Sequence, residues 1–114
     1  MAFLKRKIKK TERLNKYSFN DLDEEYYVYI VECQDKTLYT GMTNKLLDRI
    51  LDHKTGNGSR YTKEHKFKKL AYFERQPNKM SAIKREREIK DKNVKYRWLL
   101  IRRFNRCLGL MDNI

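Results

Sequence analysis

Long apolar runs, paired cysteines and aliphatic bulk are all scarce in this sequence, and each shortage closes off a class of protein. The longest uninterrupted apolar stretch runs only from Tyr26 to Val31, far short of the roughly 18 residues a membrane-spanning helix needs. The N-terminus carries no apolar segment of the kind an export signal requires, so neither a membrane protein nor a secretory precursor is expected. Cys33 and Cys107 stand far apart and no C-x-x-C pair occurs, which leaves no redox motif or zinc knuckle. Together with His53 and His65 they match no familiar zinc spacing. Both cysteines are expected to be buried thiols of a cytoplasmic protein. Apolar residues make up 39% of the 114 positions, below the usual share of about 45–50%. One small core is therefore expected, with eight Tyr and five Phe partly offsetting the thin aliphatic content.

What is abundant is positive charge. Lys and Arg number 28 against 15 Asp and Glu, a net charge of +13. Its placement is uneven: residues 1–16 carry +6, residues 84–106 carry +7, and the stretch between them is close to neutral. A balanced body between two cationic segments suits a polyanion, because each Lys or Arg that neutralises a phosphate releases condensed counterions. Nucleic acid, DNA or RNA, is the expected partner, through Lys5, Arg6, Lys7, Lys9 and Lys10 near the start and Lys84, Arg85, Lys90, Arg102 and Arg103 near the end.

The order of segments predicts an α+β domain, a small three-stranded, mainly antiparallel sheet flanked by helices. Residues 1–25 read as a basic arm closed by the acidic cluster Asp21, Asp23, Glu24 and Glu25, residues 26–108 as the folded domain, and residues 109–114 as a tail. The β-branched and aromatic run Tyr26 to Cys33 and the shorter run Thr37 to Gly41 form a hairpin around Gln34-Asp35-Lys36. A helix capped by Thr43 or Asn44 is expected to reach Thr55, with Leu46, Leu47, Ile50 and Leu51 as its inward stripe and Gly56-Asn57-Gly58-Ser59 as its stop. A third strand covers Phe67 to Glu74. After Pro77-Asn78, a helix from Lys79 to Lys92 turns Ala82, Ile83 and Ile89 inward, and a last helix from Val94 buries Trp98, Ile101, Phe104 and Leu108.

Three placements exceed what a plain core requires. Arg49 and His53 are four apart and share a helix face beside the leucine stripe. Glu86 lies within the apolar arc of its helix while Glu88 points away, and a carboxylate there needs a cation, whether Arg49, a lysine or a metal. Tyr29 and Tyr39 sit on adjacent strands and can meet across the ladder.

Val28-Tyr29-Ile30, then Tyr39-Thr40-Gly41, then the spacing G-x7-R-x3-H through Arg49 and His53, then A-x3-E-x2-I-K around Glu86 together resemble the GIY-YIG nuclease family, most closely its small stand-alone branch. The resemblance covers about Tyr26 to Ile101. It implies a metal-dependent endonuclease that hydrolyses phosphodiester bonds in structured or damaged DNA, with the same fold serving as a non-catalytic nucleic-acid binder as the alternative. By the same resemblance Tyr29 is the base for the attacking water. Its ordinary pKa of about 10 would have to be brought down by a cation, namely a bound metal, Arg49 or Lys36 in the hairpin turn. Tyr39 would hydrogen-bond the phosphate or the water, Arg49 would neutralise the phosphate oxygens, and His53 would position or protonate. Glu86 would be the one metal ligand, which suits Mg²⁺ or Mn²⁺. The first motif's glycine is replaced by Tyr27, and the asparagine many members place beyond the glutamate has no match: Asn93 is too near and Asn105 fits only loosely.

Overall fold

β1 (Tyr26–Cys33) organises the molecule. Its apolar run is continuous rather than alternating because both its faces are covered, the pattern of a central strand, and its last six residues are all buried. The computed structural model describes residues 25–112, with side chains through residue 109. Lys5, Arg6, Lys7, Lys9 and Lys10, and with them nearly all of the expected arm, lie outside the described residues. β2 (Leu38–Thr43) and β3 (Phe67–Gln76) pair antiparallel on either side of β1, giving the order β2-β1-β3. Among the described residues the helices are α1 (Leu46–Thr55), α2 (Arg60–His65), α3 (Lys79–Asp91) and α4 (Val94–Asp112).

The hairpin turn closes where the sequence placed it. Lys36 adopts φ 69°, its amide donates to the Cys33 carbonyl at 2.9 Å, and the Asp35 carboxylate accepts from both the amide and the hydroxyl of Thr37. Gly56, at φ 88°, ends α1 in the left-handed conformation that glycine adopts without strain. Asn78 caps α3 by accepting from the Ser81 amide.

Two apolar layers result. Val28, Ile30, Leu38 and Ala71 of the sheet pack on Ala82 and Ile89 of α3 and on Leu100 and Ile101 of α4. On the opposite face Tyr29, Val31 and Cys33 pack with Tyr39, Leu46, Ile50, Tyr61, Phe67, Leu70 and Phe73. The α3 and α4 layer is also pinned by polar groups. Arg85 bonds Glu74 of β3 at 2.8 Å, Glu88 at 2.7 Å and the Tyr96 hydroxyl at 3.3 Å, while the Tyr72 hydroxyl donates to Glu74 at 2.5 Å. No described helix is long and apolar enough to cross a membrane.

The expected leucine stripe of α1 is corrected by this packing. The helix starts at Leu46 with Lys45 as an N-cap that makes no side-chain bond, and Thr43 belongs to β2. Its inward arc is Leu46, Ile50 and His53, a spacing of four and three, whereas Leu47 and Leu51 are 79% and 57% exposed. α2 was not expected at all. β2 and β3 run to Thr43 and Gln76, and α4 continues to Asp112 through most of the expected tail. Ile83 is only half-buried, Leu108 is exposed, and Cys107 is an exposed thiol while Cys33 is buried.

These placements predict unequal costs for truncating apolar side chains. Ile89→Ala should lower the free energy of unfolding by about 2–5 kcal/mol, and Leu47→Ala should change it by no more than about 0.5 kcal/mol. Urea titrations of the two variants measure the difference.

Candidate active site

The register places Tyr29 opposite Gly41 and Val31 opposite Tyr39, so all four share the face covered by α1 and α2. Gly41 is the condition for this arrangement. A β-carbon built there would stand 2.6 Å from the Tyr29 hydroxyl oxygen and 3.1 Å from Cε2 of Tyr39. The Tyr29 ring therefore lies across Gly41, toward the β2 edge of the sheet, and the glycine of the second tyrosine motif is required by close approach.

At that edge Tyr29 meets α1. Its hydroxyl is 2.7 Å from Nε2 of His53, and Nδ1 of His53 is 2.8 Å from Oγ1 of Thr62 at the start of α2. Thr62 lies in turn 2.9 Å from the Ser59 hydroxyl, which accepts from the Thr62 amide. Tyr29, His53 and Thr62 are all essentially inaccessible to solvent. Hydrogen-bond direction follows from the groups at the Tyr29 end. The Arg49 guanidinium stands beside the Tyr29 hydroxyl and has only donors to offer, so the phenol proton points at Nε2. The imidazole proton then sits on Nδ1 and is given to Thr62, whose own hydroxyl proton passes to Ser59. Gly58 packs so closely on His53 that a β-carbon there would collide with the ring.

Burial moves the two titrating partners in opposite senses. It pushes the Tyr29 phenol up to about 12, and the neighbouring Arg49 charge reverses only part of that rise. It draws His53 below the usual imidazole value, and Arg49 adds to the effect. Both groups are neutral at neutral pH. Of the cations expected to favour the phenolate, Arg49 acts on Tyr29 in that direction but does not outweigh desolvation.

Tyr39 is half-buried, with its ring centroid 5.2 Å from His53, 6.4 Å from Tyr29 and 5.9 Å from Tyr61. Arg49 is likewise partly exposed. Glu86 is 22% exposed on α3, pairs with Lys90 at 3.4 Å, and its charge is among those acting on Tyr29. It therefore keeps the near-site position expected of it with a lysine as partner. Among the described residues no three His, Cys, Asp or Glu side chains converge as a closed metal site. One part-exposed carboxylate does fit a hard cation that keeps most of its waters and takes its remaining ligand from a phosphate.

Five of the six expected catalytic residues are thus gathered around Tyr29. Lys36 is not: it lies beyond Cys33, about 13 Å of strand from Tyr29, in the exposed turn. Lys84, Lys90, Arg102 and Arg103 are exposed on α3 and α4, whereas Arg85 is engaged by Glu74 and Glu88. Asn93 accepts from the Tyr96 amide as a helix cap. Ser59, Thr62 and Tyr61 were missed. Their segment is short and polar and carries no periodicity, and the one available signal was a serine three residues before a threonine after a glycine-rich stop.

The GIY-YIG catalytic domain matches residues 25–97. A UPF0213 protein of Oceanobacillus iheyensis is 42% identical over 69 residues, 60% of this chain and 80% of that protein. A UPF0213 protein of Clostridium perfringens is 50% identical over 64 residues, 56% of this chain and 69% of that protein. The solution NMR structure of a UPF0213 protein from Bacillus halodurans is 35% identical, covers 68% of this chain and 82% of that one, and gives a TM-score of 0.45.

The lowered pKa of His53 predicts a pH dependence of stability. Below about 6.5 the unfolded chain takes up a proton that the folded chain refuses. His53 therefore contributes fully above that value, and its contribution is lost as pH falls toward the depressed folded value. Unfolding free energies of the parent and of His53→Asn, measured across this range, should differ by less as the pH falls.

Proposed function

The chain belongs to the GIY-YIG nuclease family, and on that footing we propose that it is a divalent-metal-dependent endonuclease cutting phosphodiester bonds in structured or damaged DNA. The observation that carries the reading is the hydrogen bond from the buried Tyr29 hydroxyl to a neutral His53, with Arg49 beside it. A phenol whose pKa is pushed up to about 12 is a poor base alone, but it becomes an effective one when its own proton has somewhere to go.

Arg49 shields the Tyr29 oxygen and is itself part-exposed, so when it turns to a phosphate it both neutralises the charge growing on the phosphate oxygens and uncovers the phenol. The attacking water then bonds to phosphorus as its proton passes to the Tyr29 oxygen and the Tyr29 proton passes to Nε2 of His53. The imidazolium that forms is held by Thr62 on its other nitrogen. The sugar oxygen leaves with the bonding electron pair and takes a proton from water. Tyr39, half-buried beside His53, hydrogen-bonds the phosphate or the water. Glu86 is the residue to hold Mg²⁺ or Mn²⁺, which when bound polarises the phosphate and stabilises the leaving oxygen.

Phosphate contacts away from this centre fall to the exposed Lys84, Arg102 and Arg103 and to the basic residues of positions 1–16, which supply affinity without reading base sequence, while Lys90 stands beside Glu86. The duty assigned to Lys36 is dropped on grounds of distance, and that of Arg85 because its ion pairs occupy it.

A panel of branched, nicked and single-stranded DNA and RNA should show cutting that needs Mg²⁺ or Mn²⁺ and stops with chelator. Glu86→Gln should slow it by orders of magnitude while fold and DNA binding persist, and Glu88→Gln should leave the rate close to the parent's. Binding without turnover in every arm would replace the nuclease by a nucleic-acid-binding protein on the same fold.

A further inference from the structure

α2 brings a second feature to the site that proton transfer does not use. The rings of Tyr61 and His65 stack with centroids 4.1 Å apart and 26° between their planes, and Tyr61 lies 5.9 Å from Tyr39 at 33°. All three side chains are partly exposed. A row of aromatic rings thus leads away from His53 and ends on the outer face of the His65 ring.

The row is anchored. Nδ1 of His65 bonds the Asp35 carboxylate at 2.5 Å, and Asp35 is itself fixed by Thr37. The amide of Gln34 donates to the carbonyl of Lys66 at 2.7 Å, tying the end of α2 to the hairpin turn. Lys36, adjacent to Asp35, and Lys66, adjacent to His65, are both exposed at this end. A fixed aromatic face between two lysines offers ring surface to a base and cations to the phosphates on either side of it.

We infer that Tyr61 and His65 form a stacking platform for an unpaired base close to the bond that is cut, so that the substrate is single-stranded or locally unpaired nucleic acid. Bases in an intact duplex are already stacked on one another and present only their edges, whereas an unpaired base has a free face to lay on a side-chain ring. The platform also gives Lys36 a physical role as a phosphate contact beside the platform. This rests on the reading of the neighbouring centre as a nuclease, but binding in chelator measures it without turnover.

The test is fluorescence anisotropy in chelator with three probes: an oligothymidylate of about 12 nucleotides, the same backbone with abasic sites, and a duplex of equal length. The parent should bind the thymidylate more tightly than the abasic strand. His65→Ala should lose about tenfold or more on the thymidylate alone, and His65→Phe, which keeps a ring but not the bond to Asp35, should restore it. Equal binding of thymidylate and abasic strand by the parent overturns the platform even if His65→Ala fails to fold. A loss in His65→Ala that is the same on all three probes also overturns it. Cutting in Mg²⁺ without base-dependent binding removes the platform and keeps the nuclease, and base-dependent binding without cutting does the reverse.

Discussion

The buried chain of hydrogen bonds from Ser59 through Thr62 and His53 to Tyr29 is the constraint on which the rest of this structure depends. An imidazole and a phenol excluded from water are costly unless every polar atom is paired, and here the pairing is achieved across three elements of the fold. It requires α1 to be turned so that His53, rather than Leu47 or Leu51, faces the sheet. It requires Gly41 and Gly58 to be free of side chains where Tyr29 and His53 pass. It also requires α2, a helix of one and a half turns with little apolar surface of its own, to be held where Thr62 meets Nδ1 of His53.

The same burial sets the charge of the centre. Desolvation favours the neutral form of both partners, raising the phenol and lowering the imidazole, so the interior of the site carries a neutral donor and acceptor pair. The formal charges sit at its exposed margin, with Arg49 on one side of the β2 edge and Glu86 on the helix layer of the other side. In the proposed chemistry a phosphodiester brings negative charge to that margin, where Arg49 would neutralise it and Glu86 would share a cation with it. Proton transfer is thereby separated from charge neutralisation.

Much of this was legible in the sequence. The strand from Tyr26, the turn at Gln34-Asp35-Lys36 and the break at Pro77-Asn78 follow from local chemistry, and the ordered tyrosines with Arg49, His53 and Glu86 mark the candidate site. The rotation of α1 was not legible, because four large aliphatic side chains at Leu46, Leu47, Ile50 and Leu51 make a more convincing stripe than one that includes a histidine. Periodicity scores a polar residue as outward, and His53 is inward only because Thr62 and Tyr29 come from elsewhere in the chain to pair it. α2 escaped for a related reason: its six residues are held by tertiary hydrogen bonds and not by an apolar face. Lys36 and Arg85 show the converse, since a cation near a motif in sequence is no guide to whether a strand's length separates it from the site or a half-buried carboxylate such as Glu74 engages it.

The most direct test of this account is the protonation of His53, read by nitrogen-15 chemical shifts of its two ring nitrogens in the folded protein at neutral pH. The hydrogen-bond chain predicts a neutral ring with the proton on Nδ1 and Nε2 bare, accepting from Tyr29, and predicts that Tyr29→Phe shifts Nε2 while Nδ1 stays protonated. A proton found on Nε2, or on both nitrogens, would contradict the proton path on which the proposed chemistry is built.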